Sequence, residues 1–284
     1  MAARPATLPA GIAPVLIGSA SAWSDHVFAL LPFGVVLVAV MAIQIGVNYA
    51  NDLADAQRGA DTRARIGPQR AVASGVITPR DMRRGVAVAF GFAGLAGIYL
   101  ISYAGWPILV IGVISIAAAL GYTNGPVPYG YYGLGELFVF VFFGLVATVG
   151  TRFVFGGPVP IEAWAGGIVM GLLAGAVLEA NNIRDIDTDT DAGKRTLAVV
   201  VGRTWARRLY AGSLIVSFAV IAFGSLVGWF PPIALIALIV APLSMPLIRT
   251  IYTETQGPPL IGVLKGTAQL QLFVALLLSL AILF

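Results

Sequence analysis

The chain alternates long apolar runs with short polar connections. A transmembrane helix needs about 20 predominantly apolar residues to cross the hydrocarbon core. Runs of this kind recur along all 284 residues, and Gly, Pro or charged residues mark the breaks between them. The pattern predicts an all-α integral membrane protein with nine transmembrane helices, at about 8–24, 32–54, 81–103, 106–123, 134–155, 161–184, 204–228, 231–250 and 259–284.

Composition supports this class and removes several kinds of chemistry. The chain is 58% hydrophobic and 11% charged, with a mean hydropathy of +0.91, which is not the composition of a soluble domain. It has no cysteine, so disulfides, thiolate catalysis, zinc–thiolate sites and iron–sulfur clusters are excluded. The first run could also be a cleavable signal, but Pro9, Gly11 and Pro14 interrupt it, and we predict that it is retained as a helix. We expect one transmembrane domain over 1–284.

The positions of the basic residues predict the topology. If the N-terminus is inside, all but one of the seventeen lysines and arginines fall on one face of the membrane. The exception, Arg152, lies near the outer end of the fifth segment. Because cytoplasmic loops carry the excess of Lys and Arg, we predict that the connections at about 55–80 and 185–203 face the cytoplasm. The protein is then a multi-pass protein of the cell membrane with its active site near the cytoplasmic face.

Polar side chains gather where the second apolar run ends. The stretch NYANDLADAQRGAD contains Asn48, Asn51, Asp52 and Asp55. Their spacing of i, i+3, i+4 and i+7 places all four on one face of a helix. The sequence therefore predicts a cluster of carboxylates and amides at the inner end of this segment.

A second cluster follows the sixth run, in NNIRDIDTDTDAGKRT. Asn181, Asp185 and Asp189 are spaced i, i+4 and i+8, and Asp187 and Asp191 join them if the helix ends there. The pattern Asn-x-x-x-Asp occurs in both clusters, each near the inner end of an even-numbered segment. This repeat predicts two parallel four-helix halves, to which the ninth helix is added.

The two clusters together favour a magnesium site. Solvated helix ends are the alternative, but ionisable residues at membrane depth tend to line cavities and to be functional. The clusters offer only oxygen ligands, and the single histidine, His26, is predicted on the outer face. Hard oxygen ligands suit Mg²⁺, which usually shares its coordination sphere with substrate phosphates. We therefore predict that the acids bind metal, the metal binds a diphosphate, and the basic residues that follow neutralise the remaining charge.

Further candidates lie near these clusters. We predict that basic residues in the stretches RIGPQR and GKRT contact the substrate. For each of them the alternative is that it only anchors a cytoplasmic connection, as Lys and Arg commonly do. Glu136 opens the fifth segment, and two more candidates end the fourth segment at the same face. The candidate substrate-binding and catalytic residues in these stretches are Arg65, Gln69, Arg70, Tyr122, Asn124, Glu136, Lys194 and Arg195.

These motifs carry a resemblance to a known family. NYANDLADAQRGAD with RIGPQRAVASG, and later NNIRDIDTDTDAGKRTLAVVVG, resemble the two signature motifs of UbiA-type intramembrane prenyltransferases. RPATLPAGIAPVLIG and GYTNGPVPYGYYGLGELFVFVFFGLVATVGT resemble the branch that prenylates 1,4-dihydroxy-2-naphthoate in menaquinone biosynthesis. Asn124 departs from the Gly expected at that position.

The resemblance implies a fold and an activity. It implies nine helices around a central cavity that opens laterally to lipid, with Mg²⁺ and polyprenyl diphosphate bound by Asn51, Asp55, Asp185 and Asp189, and with Asn48 and Asp52 nearby. It also implies transfer of the prenyl group to dihydroxynaphthoate with release of CO₂, giving demethylmenaquinone. In that role Asp55, Asp185, Lys194 and Glu136 are the catalytic candidates, and a base role fits Glu136 or an aspartate not committed to metal.

Two alternatives stay open at this level. The acceptor could be another aromatic acid, such as 4-hydroxybenzoate or homogentisate. A secondary transporter with intramembrane acids is the alternative from a different class, but it does not explain paired acid-then-base connections on one face. We expect the lipid bilayer and the two substrates as partners and no nucleic acid.

Overall fold

The computed structural model describes residues 2–58, 70–124 and 128–284, and within them it contains helices and no strand. Two single turns of 3₁₀-helix, Pro5–Thr7 and Tyr129–Tyr131, accompany the long helices, and the long helix that begins at Pro232 is itself 3₁₀ as far as Leu243. The long helices are α1 Pro9–Ser24, α2 Leu30–Gln57, α3 Pro79–Ala104, α4 Pro107–Gly121, α5 Gly135–Val154, α6 Ile161–Asp191, α7 Leu197–Leu226, α8 Pro232–Thr253 and α9 Pro258–Leu283.

Seven helices in the described part of the chain are long and apolar enough to cross a membrane. The other two, α1 and α4, have 16 and 15 residues. At 1.5 Å per residue they reach about 24 Å, which is less than the hydrocarbon thickness of about 30 Å. The predicted all-α multi-pass membrane protein is therefore confirmed, and a count of nine spans stays a prediction.

The helices around the second acid cluster differ from the prediction. The connection expected at 185–203 is helical at both ends, because α6 continues to Asp191 and α7 begins at Leu197. Only 192–196 joins them, and Gly202, with φ of 77°, kinks α7. Hydropathy marks where the apolar run stops, whereas the helix continues into polar sequence. The second acid cluster is thus held on a rigid helix.

Close contact between α5 and α6 depends on glycine. A Cβ atom on Gly144 would lie 2.5 Å from the carbonyl oxygen of Gly167, and one on Gly171 would lie 2.7 Å from that of Phe140. Small residues allow such close approach between transmembrane helices. At this contact α5 changes to π-helical hydrogen bonding over Phe140–Val146, a feature often found at functional sites.

Two apolar cores lie on either side of α1. One is formed by α1 with α6, α7, α8 and α9, and it includes Ile17, Leu173 and Leu278. The other is formed by α1 to α5 and includes Val15 and Leu100. Because α1 contributes residues to both cores, it packs against both groups of helices and joins them.

Arg152, the exception in the charge count, is not a surface residue. Its side chain is 1% exposed and forms an ion pair with Asp25, at the end of α1. It also donates to the carbonyl oxygens of Gly156, at 2.6 Å, and Pro158, at 3.1 Å. Arg152 therefore ties the outer end of α5 to α1, and its charge is neutralised inside the protein.

This environment predicts a loss of stability on substitution. Removing one partner of a buried ion pair costs about 3–5 kcal/mol. Asp25 is 40% exposed and can be hydrated, so we expect Arg152→Gln to lower the free energy of unfolding by an amount near the lower end of that range. The apparent Tm in detergent, followed by intrinsic fluorescence, measures the effect.

Arg84→Gln is the matched control, because Arg84 pairs with Asp81 at the surface, where both side chains are more than half exposed. Surface pairs contribute little to stability. We expect its Tm to stay close to that of the wild type. Equal losses in the two variants would contradict the assigned role of Arg152.

Candidate active site

A cavity of about 370 Å³ lies among α1 to α6. At one end it is lined by polar residues of both predicted clusters, among them Asp55 and Asp185. At the other end the wall is apolar and includes Val36, Leu100 and Ile108. A volume of this size is typical of pockets for small organic ligands. The cavity therefore suits a ligand with a charged end and an apolar end.

Asp55 lies at the centre of the polar end and contacts three other segments of the chain. Its Oδ1 accepts from the Tyr131 hydroxyl at 2.7 Å and from Lys194 Nζ at 3.0 Å. Its Oδ2 accepts from Arg70 Nη2 at 3.1 Å. The Asp55 side chain is 3% exposed. Asp55 lies in the last turn of α2, and Lys194 lies just after α6. The ion pair between Asp55 and Lys194 therefore connects the regions of the two predicted clusters.

Tyr131 holds these groups in place. Its ring lies below two cations, with Lys194 Nζ 4.8 Å and the Arg58 guanidinium carbon 5.2 Å from the ring centroid. Its carbonyl oxygen accepts from the backbone N–H of Arg195 at 3.1 Å. Burial raises the pKa of the Tyr131 phenol, and the neighbouring Asp55 carboxylate raises it further. The phenol is therefore protonated at neutral pH and donates to Asp55.

The second cluster faces the same cavity. Asn181, Asp185 and Asp189 all line it, as their spacing on one helix face predicts. Arg184 forms a bidentate pair with Asp185, with Nε to Oδ1 at 2.7 Å and Nη2 to Oδ2 at 2.5 Å. Arg184 Nη2 also donates to Asn181 Oδ1 at 2.9 Å. Asp187 instead pairs with Arg203, away from this group.

The remaining polar residues of α2 have different environments. Asn51 lines the cavity and its Oδ1 accepts from the Thr123 hydroxyl at 2.6 Å. Asn48 also lines it, and its amide donates to the carbonyl oxygen of Ala3 at 3.0 Å. Asp52 is 1% exposed and accepts the backbone N–H groups of Ala71 and Val72, at 3.1 and 3.0 Å. Its carboxylate thus anchors the chain that follows the arginine-rich connection.

The other sequence candidates are only partly brought together. Tyr122 lines the cavity, and Arg70 and Lys194 do so as well. Glu136 accepts from Asn182, which is itself in the wall, at 2.7 Å. Two candidates are placed otherwise: Asn124 donates weakly to Thr123, and Arg195 is exposed. Two more, Arg65 and Gln69, lie outside the described residues.

Sequence reasoning missed four residues of this site. Arg4, ahead of α1, lines the cavity. The other three donate hydrogen bonds to residues predicted to bind the metal: Tyr131 to Asp55, Thr123 to Asn51, and Arg184 to Asp185. Arg184 was counted as a topological charge, and its adjacency to Asp185 was the available signal for a role in the site. Thr123 and Tyr131 lie in the stretch GYTNGPVPYGYYG, which carries part of the family resemblance, but no spacing rule links them to the distant acid clusters.

Within residues 2–58, 70–124 and 128–284 no three His, Asp or Glu side chains are close enough together to enclose a metal ion. Asp55 and Asp185 are instead balanced by Lys194, Arg70 and Arg184. Alternating carboxylates and cations of this kind can bind a polyanion that arrives with its own divalent cation.

Fold and cavity define the class: a multi-pass helical membrane protein with a site for an amphipathic anion. The chain belongs to the UbiA prenyltransferase family, whose family model matches residues 11–260.

Three known proteins illustrate the relationship. The chain is 39% identical to 1,4-dihydroxy-2-naphthoate octaprenyltransferase of Mycobacterium tuberculosis, over 99% of this chain and 95% of the relative. It is 36% identical to the enzyme of the same name from Escherichia coli, over 98% and 92% of the two chains. A UbiA homologue from Archaeoglobus fulgidus, solved bound to DMAPP and Mg²⁺, superimposes with a TM-score of 0.67 at 15% identity, over 99% and 97% of the two chains, which shows a shared fold.

Proposed function

We propose that this protein transfers a polyprenyl group from polyprenyl diphosphate to 1,4-dihydroxy-2-naphthoate, with loss of CO₂, to form the demethylmenaquinone skeleton. The observation that carries the proposal is the contact between Lys194 and Asp55, at 3.0 Å, in a cavity that Asp185 and Asp189 also line. The names of the relatives from M. tuberculosis and E. coli support the choice of acceptor.

The donor set fits Mg²⁺. Asn51, Asp55, Asp185 and Asp189 offer oxygen ligands in one cavity wall, and the cation would be held by these residues together with the diphosphate. When bound, Mg²⁺ supplies positive charge that stabilises the leaving diphosphate. The Archaeoglobus homologue with bound Mg²⁺ and DMAPP supports this assignment. Asp52, which the sequence also offered as a metal ligand, is left out of the set because it does not line the cavity and its carboxylate binds the backbone of Ala71 and Val72.

Arg70, Lys194 and Arg184 provide the remaining positive charge. Arg70 and Lys194 contact Asp55, and Arg184 contacts Asp185, so each cation is already directed at the polar end of the cavity. A diphosphate entering between the two clusters would be neutralised by the same three side chains. Preorganised charges of this type stabilise charge that develops on a leaving group.

The apolar end of the cavity suits the prenyl chain. Cleavage of the allylic C–O bond leaves the electron pair on the diphosphate and a cation on the prenyl group. Stacked aromatic rings line the adjacent wall, with Tyr129 and Phe138 at 3.9 Å and Phe138 and Phe142 at 6.0 Å between centroids. Such faces attract a cation, and a dry cavity protects it from hydrolysis. An electron-rich ring carbon of the naphthoate then forms the new C–C bond. The bond to the carboxylate breaks, CO₂ leaves, and its bonding electron pair returns to the ring, which becomes an aromatic quinol again.

Glu136 takes an indirect part in this scheme. Its carboxylate accepts from Asn182, which lines the cavity, so we assign it a positioning role through that amide. Burial raises the pKa of Tyr122, with further contributions from Glu136 and Asp55. Tyr122 is then a neutral phenol in the cavity wall, able to donate a hydrogen bond to a reactant.

Architecture and location complete the proposal. The whole chain acts as one domain in the cell membrane, with nine spans in two parallel four-helix halves plus a ninth helix. Both acid clusters and the N-terminus face the cytoplasm, and Phe284 faces out. The distribution of the seventeen lysines and arginines supports this orientation.

The activity is tested directly with purified protein. Incubation with polyprenyl diphosphate, Mg²⁺ and dihydroxynaphthoate should release diphosphate and CO₂ and form the prenylated product. Chelation of divalent cations should abolish turnover, and added Mg²⁺ should restore it, because an uncompensated diphosphate leaves poorly. A panel containing 4-hydroxybenzoate and homogentisate checks the acceptor. A preference for one of those acids would overturn the assignment, and no diphosphate release would favour the transporter.

Asp55→Asn and Asp185→Asn should each lower kcat/KM roughly a hundredfold or more, since loss of several kcal/mol of charge stabilisation costs about tenfold per 1.36 kcal/mol. If both carboxylates act on one diphosphate, the double variant should be little worse than the worse single variant. Steady-state kinetics with saturating acceptor measure the effect.

Asp187→Asn is the matched control, because Asp187 lies on the same helix but is 53% exposed and pairs with Arg203. We expect it to turn over at close to the wild-type rate. Near-normal activity in Asp55→Asn and Asp185→Asn would mean that both clusters are only solvated helix ends.

The topology is tested with single cysteines, which the wild-type chain lacks. Cysteines introduced at Ala56 and Ala192 should react with an impermeant reagent from the cytoplasmic side only, and one at Ser24 from the outer side. If the cysteines at positions 56 and 192 were labelled from different sides, the two clusters would face opposite sides of the membrane and could not form one site.

A further inference from the structure

Gln44 is a buried amide that the site described so far does not use. It lies on α2, is 7% exposed and lines the cavity. Among the described residues its side chain has no hydrogen-bond partner. Its amide atoms are not among the fully enclosed unpaired ones, so they are open to the cavity. A ligand that fills the cavity would remove this amide from solvent, and leaving it unpaired would then cost about 1–3 kcal/mol.

Gln44 differs in this respect from the other buried amides of the described chain. Asn48 donates to Ala3, and Asn51 accepts from Thr123. Asn182 donates to Glu136, and Gln271 donates to the carbonyl oxygen of Met170 at 3.2 Å. Each of these amides has a partner within the protein. An unused amide that faces a cavity instead points to a partner that arrives with a ligand.

The depth of Gln44 separates it from the diphosphate end. It lies eleven residues before Asp55 on the same helix, which corresponds to about 16 Å along the axis. The spacing from Gln44 through Asn48 to Asp55 keeps all three on one face of α2. Around Gln44 the wall is apolar, with Ile43 and Val47 beside it. Gln44 is thus a polar group within the apolar part of the cavity.

Of the proposed reactants, only the aromatic acceptor fits this position. The diphosphate is expected at Asp55 and Asp185, and the prenyl chain has no hydrogen-bonding group. Dihydroxynaphthoate has two hydroxyls and a carboxylate, and it must lie beside the allylic carbon, one step deeper than the diphosphate. Ser115, on α4, also lines the cavity without a hydrogen-bond partner among the described residues and adds a second polar group to this region.

We propose that Gln44 is a specificity-determining residue that hydrogen-bonds a ring oxygen substituent of the aromatic acceptor. This inference rests on the proposed function and deepens it. A site that pairs a buried polar group with a substrate oxygen rejects analogues that lack that oxygen, because the protein group is then left unpaired. Gln44 accordingly selects an oxygenated ring over the apolar molecules that fill the membrane.

The test compares Gln44→Leu with the wild type. We expect the KM for dihydroxynaphthoate to rise about tenfold or more, and the KM for polyprenyl diphosphate to change less than about twofold. Naphthoate analogues that each lack one hydroxyl or the carboxylate identify the oxygen. For the analogue that lacks the contacted oxygen, wild type and variant should have similar KM values, since one interaction cannot be removed twice.

A binding measurement without the prenyl donor supplies a readout independent of turnover. Dihydroxynaphthoate fluorescence should report weaker binding to Gln44→Leu than to the wild type. The Tm of this variant should stay close to that of the wild type, because the amide makes no hydrogen bond within the described part of the protein. Gln271→Leu is the matched control: Gln271 is fully buried, donates to the carbonyl oxygen of Met170 and does not line the cavity, so its loss should leave the acceptor KM unchanged.

Three results would overturn the inference. One is an unchanged acceptor KM and unchanged analogue selectivity in Gln44→Leu. Another is a rise confined to the KM for polyprenyl diphosphate, which would place the amide on the donor. A third is a lowered Tm with unaltered acceptor binding, which would make Gln44 a structural residue. If the wild type binds dihydroxynaphthoate but forms no prenylated product, the proposed function fails while the binding comparison still tests Gln44.

Discussion

The cost of placing charge in a low-dielectric interior determines how the polar end of this protein is built. Asp55 is almost fully buried, and an isolated carboxylate there would be strongly unfavourable. It is offset by Arg70, Lys194 and the Tyr131 hydroxyl, which come from three different connections. One carboxylate thereby fixes the positions of the chain after α2, the turn before α5 and the short link between α6 and α7.

The second carboxylate is satisfied in a different way. Asp185 pairs with Arg184, its neighbour in sequence, so this contact brings in no distant segment. Its position depends on α6, which glycine contacts hold firmly against α5. The two acids are therefore unequal: Asp55 organises the loops around it, while Asp185 is presented by a rigid helix. A ligand that binds between them meets a wall assembled from several connections on one side and a single helix on the other.

The sequence is informative wherever a property is periodic or local. Apolar run length predicted each long helix to within a few residues at most ends, and the spacing from Asn181 to Asp189 correctly predicted that these side chains share one face. The extension of α6 to Asp191 was not predictable from hydropathy, because a helix can leave the apolar layer without ending. Thr123 and Tyr131 were missed because their partners lie more than 70 residues away. The burial of Arg152 was missed for the same reason, since its partner Asp25 is on another helix.

Gln44 illustrates the difference between a pattern and an environment. In the sequence it is one polar residue in an apolar run, and nothing there distinguishes it from Gln271 in α9. The structure separates the two, because Gln271 has a backbone partner and Gln44 faces the cavity without one. Helix packing satisfies most buried polar groups, and an amide that has no partner in the protein but is open to a cavity can still be satisfied by a ligand. If Gln44 binds the acceptor, the charged end of the cavity can accept any diphosphate, and selection of the acceptor depends on a neutral amide deeper in the membrane.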